Sequence, residues 1–176
     1  FLQELAAERS PSVRASIIQM LGSDWISQRD VRRMCLDALD DDDEVAQQAA
    51  AALANSPNAA HDRTILKAFL ALIERPDEAI QSTIIPTLIA SGDARYRAPA
   101  EHVLSDWSAD EGNSRHRALG LRVLARTGDE HLASTLMGYA HDPAPEVRRQ
   151  AAELIGSLVA QTPQAALQRL GLETLR

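Results

Sequence analysis

One pattern recurs five times along the chain and restricts its fold more than any other feature. An opening residue is followed four, five and eight positions later by mostly aliphatic side chains. The openers are Val13, Val45, Ile80, His116 and Val147, spaced 31 to 36 residues apart. Behind them come Ile17, Ile18 and Leu21; Ala49, Ala50 and Leu53; Ile84, Ile85 and Leu88; Gly120, Leu121 and Leu124; and Ala151, Ala152 and Ile155. Offsets of four, five and eight lie on one face of an α-helix, so each copy predicts an amphipathic helix. A unit of this length, repeated, marks a solenoid in which each helical face is buried only against neighbouring units.

Start signals repeat with the stripes. Three residues before each opener stand Ser10, Asp42, Asp77, Asn113 and Ala144, and the first four are residue types that cap helix N-termini. Pro11 and Pro145 follow in two copies, at a position where a missing N–H costs nothing. A further helical segment precedes each of these helices: Phe1–Ala7, Trp25–Leu39, Ala59–Glu74, about Ala98–Trp107, and Glu130–Ala140. Thr162-Pro163 begins one more, with Leu167, Leu170 and Leu175. The turns between partners fall at Glu8–Pro11, Asp40–Asp43, Arg75–Asp77, Ser108–Ser114 and Asp142–Pro145. Pro86 falls inside the third stripe, where it withdraws the N–H that would bond the Ser82 carbonyl and implies helix curvature. The predicted architecture is all-α: a single domain over residues 1–176, an α-α superhelix of about five helix pairs plus a C-terminal helix. The opening at Phe1, already inside a predicted helix and without Met, leads to the expectation of a fragment of a longer protein.

Composition narrows the function classes. Apolar residues make up 45% of the 176, yet aromatics only 3%, so Ala and Leu carry the core and closely packed helices follow. The formal charge of -7 disfavours general binding to nucleic-acid phosphates. Lys67 is the only lysine; the remaining cations are arginines, suited to fixed bidentate ion pairs. Cys35 stands alone and excludes an internal disulfide. No apolar run approaches the roughly 20 residues of a membrane-spanning helix, and no signal segment opens the chain, so a cytoplasmic location without direct membrane insertion is expected.

The run Asp142-Pro143, Val147-Arg148, Ala151-Ala152 and Gly156 carries a family resemblance. It is similar to the HEAT repeat, in the short version found in lyases that attach bilins to phycobiliproteins. Val13, Arg14, Leu21 and Gly22 match in the first copy; Asp40, Val45, Ala49, Ala50 and Leu53 match in the second. The third keeps Pro76, Asp77 and Leu88; the fourth keeps Arg117 and Leu124, with His116 in the Val position. The resemblance implies a right-handed α-solenoid whose second helices line the concave face. It also implies a structural ladder in which Arg14, Arg117 and Arg148 meet acids of the turns, Asp142 among them. Such a fold specifies no activity by itself.

No residue pattern supplies a catalytic set, and no cofactor is expected. The acid run Asp40–Glu44 lacks the glycine and spacing of a calcium loop and reads as a solvated turn favouring the positive end of a helix dipole. His61, His102, His116, His131 and His141 include no pair four residues apart, and Glu101-His102 and Glu130-His131 reverse the His-Glu order of iron-binding HEAT enzymes. Cys35 falls on an apolar helix face, where an inert core thiol is expected, and Trp25 and Trp107 read as packing residues. The second-helix positions facing the groove form a hydroxyl- and amide-rich stripe that includes Gln48 and Thr83, with Arg122, Arg149 and Glu153 toward one end. The reading is a non-catalytic scaffold or regulatory module that holds a protein or peptide on this face. The alternative is a chromophore-handling enzyme or chaperone of the bilin-lyase kind.

Overall fold

The structure, a computed structural model, describes residues 10–128 and 131–161. The predicted helix Phe1–Ala7, Glu8, Glu130 and the segment from Thr162 onward lie outside the described residues. Those described form nine α-helices and two short 3-10 turns, with no strand among them. They divide into two compact units between Glu101 and His102.

The first unit holds α1 (Pro11–Trp25), α2 (Arg29–Asp37), α3 (Asp43–Ala54), α4 (Arg63–Leu72), α5 (Glu78–Ala90) and the start of α6 (Ala94–Ala109). Helices α1, α3 and α5 pack side by side as one layer; α2 lies against α1 and α3, and α4 against α5. Central α3 is therefore covered on most of its circumference, and Val45, Ala46, Ala49, Ala50, Ala52 and Leu53 are all buried. Its alanines reflect that crowding. A Cβ placed on Gly22 of α1 would come within 2.3 Å of the Ala52 Cβ, so the two helices approach closely only because Gly22 has none. The predicted columns hold fully in α3 and α5, where Ile80, Ile84, Ile85 and Leu88 join Phe69 and Ile65 of α4 in the core. Each such side chain contributes about 1.5–3 kcal/mol by leaving water. Pro86 sits within α5, which continues through it; Ser82 and Thr83 hydroxyls donate to the Ala79 carbonyl in the turn before.

Two expectations fail in α1. The buried line there is Ala15, Ile18 and Gly22, the residues turned toward α3, while the predicted opener Val13 is 44% exposed. Trp25 neither begins a first helix nor packs in a core: it ends α1 and is 51% exposed. Helix α1 runs on past Gly22, with the Ser23 hydroxyl donating to the Gln19 and Met20 carbonyls inside it, and the chain then turns at Trp25–Gln28.

The second unit contains the rest of α6, with α7 (Ser114–Leu124), α8 (Leu132–Tyr139) and α9 (Pro145–Gln161). Helix α9 packs on α7 and α8 around Leu121, Leu132, Leu136, Val147 and Ala151. Ala152, predicted to share the buried stripe, is exposed instead: α9 has neighbours on one narrow side only, reached by Val147 and Ala151. Trp107 is buried as predicted.

Helix starts also differ from prediction. Helix α6 begins four residues before Ala98, because the Asp93 carboxylate accepts the Arg95 N–H at 3.0 Å and its carbonyl accepts those of Tyr96 and Arg97. Pro99 is thus inside the helix rather than at its start. Asp62 caps α4 through the Thr64 and Ile65 N–H groups, so this helix starts at Arg63 and not at Ala59. Asp77 and Asn113 cap α5 and α7 with their side chains, whereas Ser10 and Asp42 make no such bond. The Asp42 carboxylate is engaged by Arg14 instead.

Candidate functional site

Two sets of polar side chains stand on the second helices: one at the turns, tying successive repeats, and one on the open faces. In the first unit Arg14 makes a bidentate pair with Asp41 in the next repeat's turn, at 2.9 and 2.6 Å, and reaches Asp42 at 2.8 Å. In the second unit Arg117 repeats this arrangement with Asp142, at 2.9 Å through both Nε and Nη2. The remaining Arg117 nitrogen, Nη1, donates to the Asp110 and Glu111 carbonyls of its own turn, at 2.6 and 2.9 Å. Glu111 therefore contributes its main chain and not its carboxylate. Both side chains of the Arg117–Asp142 pair are only 7% exposed.

These contacts set the protonation of the acids. Arg117, together with the Ala144 N–H, holds the Asp142 carboxyl below the usual carboxylate range. Arg14 does the same for Asp41. Three acids of the run in the second turn are held by guanidinium groups: Asp41 and Asp42 by Arg14, and Asp43 by Arg75. Among the described residues no three His, Cys, Asp or Glu side chains gather to hold a metal ion.

The second and third copies carry Ala46 and Gln81 where the others have arginine. Gln81, buried, donates from Nε2 to the Ile73 carbonyl at 2.9 Å, the inward contact that Arg117 makes with its own turn. Arg148 likewise reaches the Asp142 and Pro143 carbonyls, each at 2.8 Å. At the Ala46 copy the contact comes from the following turn, where Arg75 donates to the Leu39 carbonyl at 3.3 Å and pairs with Asp43.

A second tie went unrecognised in the sequence. The Ser12 hydroxyl donates to Glu44 at 2.9 Å, and Ser114 donates to Glu146; each pair is 32 residues apart. A serine followed one repeat length later by a glutamate, both at helix starts, is the signal that marks it. His116 departs from the Val position because the long turn supplies it with partners. Its Nδ1 lies 2.9 Å from the Asp110 carboxylate, and its ring stacks on Trp107 at 6.2 Å. Cys35 is wholly buried on α2, and burial pushes its thiol up to about 11.

The groove-facing candidates are distributed over both units. Gln48 and Thr83 belong to the first, on α3 and α5, and both are half-buried. Thr83 spends its hydroxyl on the Ala79 carbonyl at 2.8 Å. Gln48 lines a cavity of about 390 Å³ between α1 and α3, with Gln19, Ser23, Ile26, Ala51 and Asn55. In the second unit Arg122, Arg149 and Glu153 are exposed on α7 and α9, the last two as a loose pair at 3.9 Å along one helix. No helix of the described residues is long and apolar enough to cross a membrane.

Comparison with known proteins gives one result of substance. The family model described as HEAT repeat matches residues 132–161, the pair formed by α8 and α9. No curated protein and no solved structure matches the chain significantly.

Proposed function

With a HEAT repeat in residues 132–161 as the premise, we propose that this chain is an interaction module that holds a protein or peptide on the open faces of its second helices. HEAT repeats generally act as scaffolds for protein interaction. The observation that carries the reading is the division of labour on those helices. One set of arginines, with Gln81, is fixed at the turns by acids and carbonyls. Gln48, Arg122, Arg149 and Glu153 stand outside that network, half-buried or exposed. Side chains that packing does not use, repeated on equivalent helices, are what a partner meets first. The structural arginines and the binding positions are therefore different residues, and changing the second set leaves the fold intact.

The test is affinity capture with wild-type protein and with a variant carrying Gln48→Ala, Thr83→Ala, Arg122→Ala and Glu153→Ala. Loss of the captured partners with unchanged helical circular dichroism supports the reading. An unchanged set of partners removes it.

A further inference from the structure

The cavity between α1 and α3 has a chemistry narrower than that of a general protein-binding face. Its buried lining residues are Gly22, Ile26 and Ala52, small or apolar; Gln19, Ser23 and Asn55 are exposed, and Gln48 and Ala51 half-buried. The floor is thus low and apolar and the rim is polar. None of the residues that line it is charged, although the chain as a whole carries a formal charge of -7. The side-chain amides of Gln19, Gln48 and Asn55 make no hydrogen bond to other described residues. Each amide offers two donor hydrogens and an acceptor oxygen.

The geometry points to an extended, uncharged peptide segment as the occupant, read through its main chain by Gln19, Gln48 and Asn55. This rests on the interaction reading above and narrows it to one groove and one class of ligand. A peptide group presents one donor and one acceptor, so three side-chain amides match a short stretch of backbone and need no particular side-chain sequence. Size selects the conformation. Gln48 and Asn55 are seven residues apart on one helix, roughly 10 Å at 1.5 Å per residue, which spans about three residues of extended chain at 3.3 Å each. A helical ligand bonds its own main-chain N–H and C=O groups internally, so it offers the three side-chain amides no backbone to read. The absence of charge on the rim gives no partner to an acidic or basic side chain over the groove, and burying one there unpaired is unfavourable.

The experiment selects linear twelve-residue peptides from a display library on the whole chain. The best binder is then measured by isothermal titration against wild type, the double variant Gln48→Ala/Asn55→Ala, the second-unit variant Arg122→Ala/Glu153→Ala, and a control, Lys67→Ala, on the exposed side of α4. We expect the first variant to weaken binding at least tenfold and the Lys67→Ala control to leave it within twofold. N-methylation of the three central backbone nitrogens should weaken binding at least tenfold, and alanine at the same positions less than threefold. A binder that loses affinity only with Arg122→Ala/Glu153→Ala overturns the groove and leaves the interaction reading standing. Selection of charged or helical sequences, or tolerance of N-methylation, overturns the main-chain mode. A library that yields no binder overturns the groove proposal, and the interaction reading then stands or falls by affinity capture.

Discussion

Arg75 holds the carbonyl of Leu39 at 3.3 Å, and Leu39 lies seven residues before Ala46. In the fourth copy the carbonyl seven residues before the ladder arginine is that of Asp110, and Arg117 itself takes it. The same main-chain acceptor is therefore satisfied in both repeats, once by the residue of the repeat and once by an arginine sent back from the following turn. The direction of the tie is reversed: Arg14 and Arg117 reach forward to an acid of the next turn, whereas Arg75 reaches backward to Asp43.

That reversal makes Arg75 a structural residue despite its place in a turn. Arg75→Ala should destabilise the first unit by about 1 kcal/mol, the size of a charge-assisted bond in a partly exposed setting. Arg95→Ala removes a more exposed guanidinium, paired with Asp93, and should lower the thermal midpoint less. Thermal unfolding of the two variants checks this, and equal midpoints would remove the role given to Arg75.

The Arg117–Asp142 pair lies deeper. Asp142→Ala leaves a guanidinium with no opposing carboxylate and removes the acceptor for the Ala144 N–H, so a loss of about 2–4 kcal/mol is expected. Replacing both partners, as Arg117→Met with Asp142→Ala, should cost less than the sum of the two single changes, because no uncompensated charge remains. A double-mutant cycle in urea measures the coupling. Strict additivity would show that the pair does not act as a unit.

Acid should unfold the chain through the same contacts. Asp41 and Asp142 have their carboxyls held below the usual range, chiefly by Arg14 and Arg117. Their stabilisation is fully present above the unfolded value, about 3.9, and is lost as the pH falls through the lower folded values. Stability should therefore be flat in these groups from pH 7 to about 5 and fall below about 4. The fall should be shallower in Asp142→Asn. Asp93, held down by Arg95, should titrate at about 2 in carboxyl-detected NMR.

Two helical glycines should respond oppositely to alanine. At Gly22 the new methyl would lie 2.3 Å from the Ala52 Cβ, and overpacking of about 1–3 kcal/mol outweighs a helix-propensity gain of about 1 kcal/mol. At Gly156 nothing lies within 4 Å of the added atom, so only the gain of up to about 1 kcal/mol remains. Gly22→Ala should lower the unfolding midpoint and Gly156→Ala raise it. Gly22 and Gly156 both carried the family resemblance, and of the two it is Gly22 that the packing requires.

Periodicity proved informative where a helix is enclosed. The columns predicted for α3 and α5 are buried in full because neighbours on several sides leave no ambiguity of register. In α1 and α9 the same columns are only partly buried, since fewer neighbours select a narrower line and leave Val13 and Ala152 outside it. The start of α6 was placed too late, near Ala98, because the Asp93 cap that sets it lies outside the repeat columns. The backward reach of Arg75 could not be read from repeat columns, because it stands in for a residue missing from another repeat. Gln48 and Arg122 were placed on the correct helices by spacing alone, but the unpaired amides around the α1–α3 cavity became visible only once two helices were set beside each other.

The central claim is that the second helices, and not the first, carry the partner. Hydrogen–deuterium exchange, followed by mass spectrometry with and without a saturating captured partner, tests it most directly. The account predicts new protection in α3 around Gln48–Asn55, or in α7 and α9 around Arg122 and Arg149, with α2 and α4 unchanged. Protection confined to α2, α4 and α8 would contradict it.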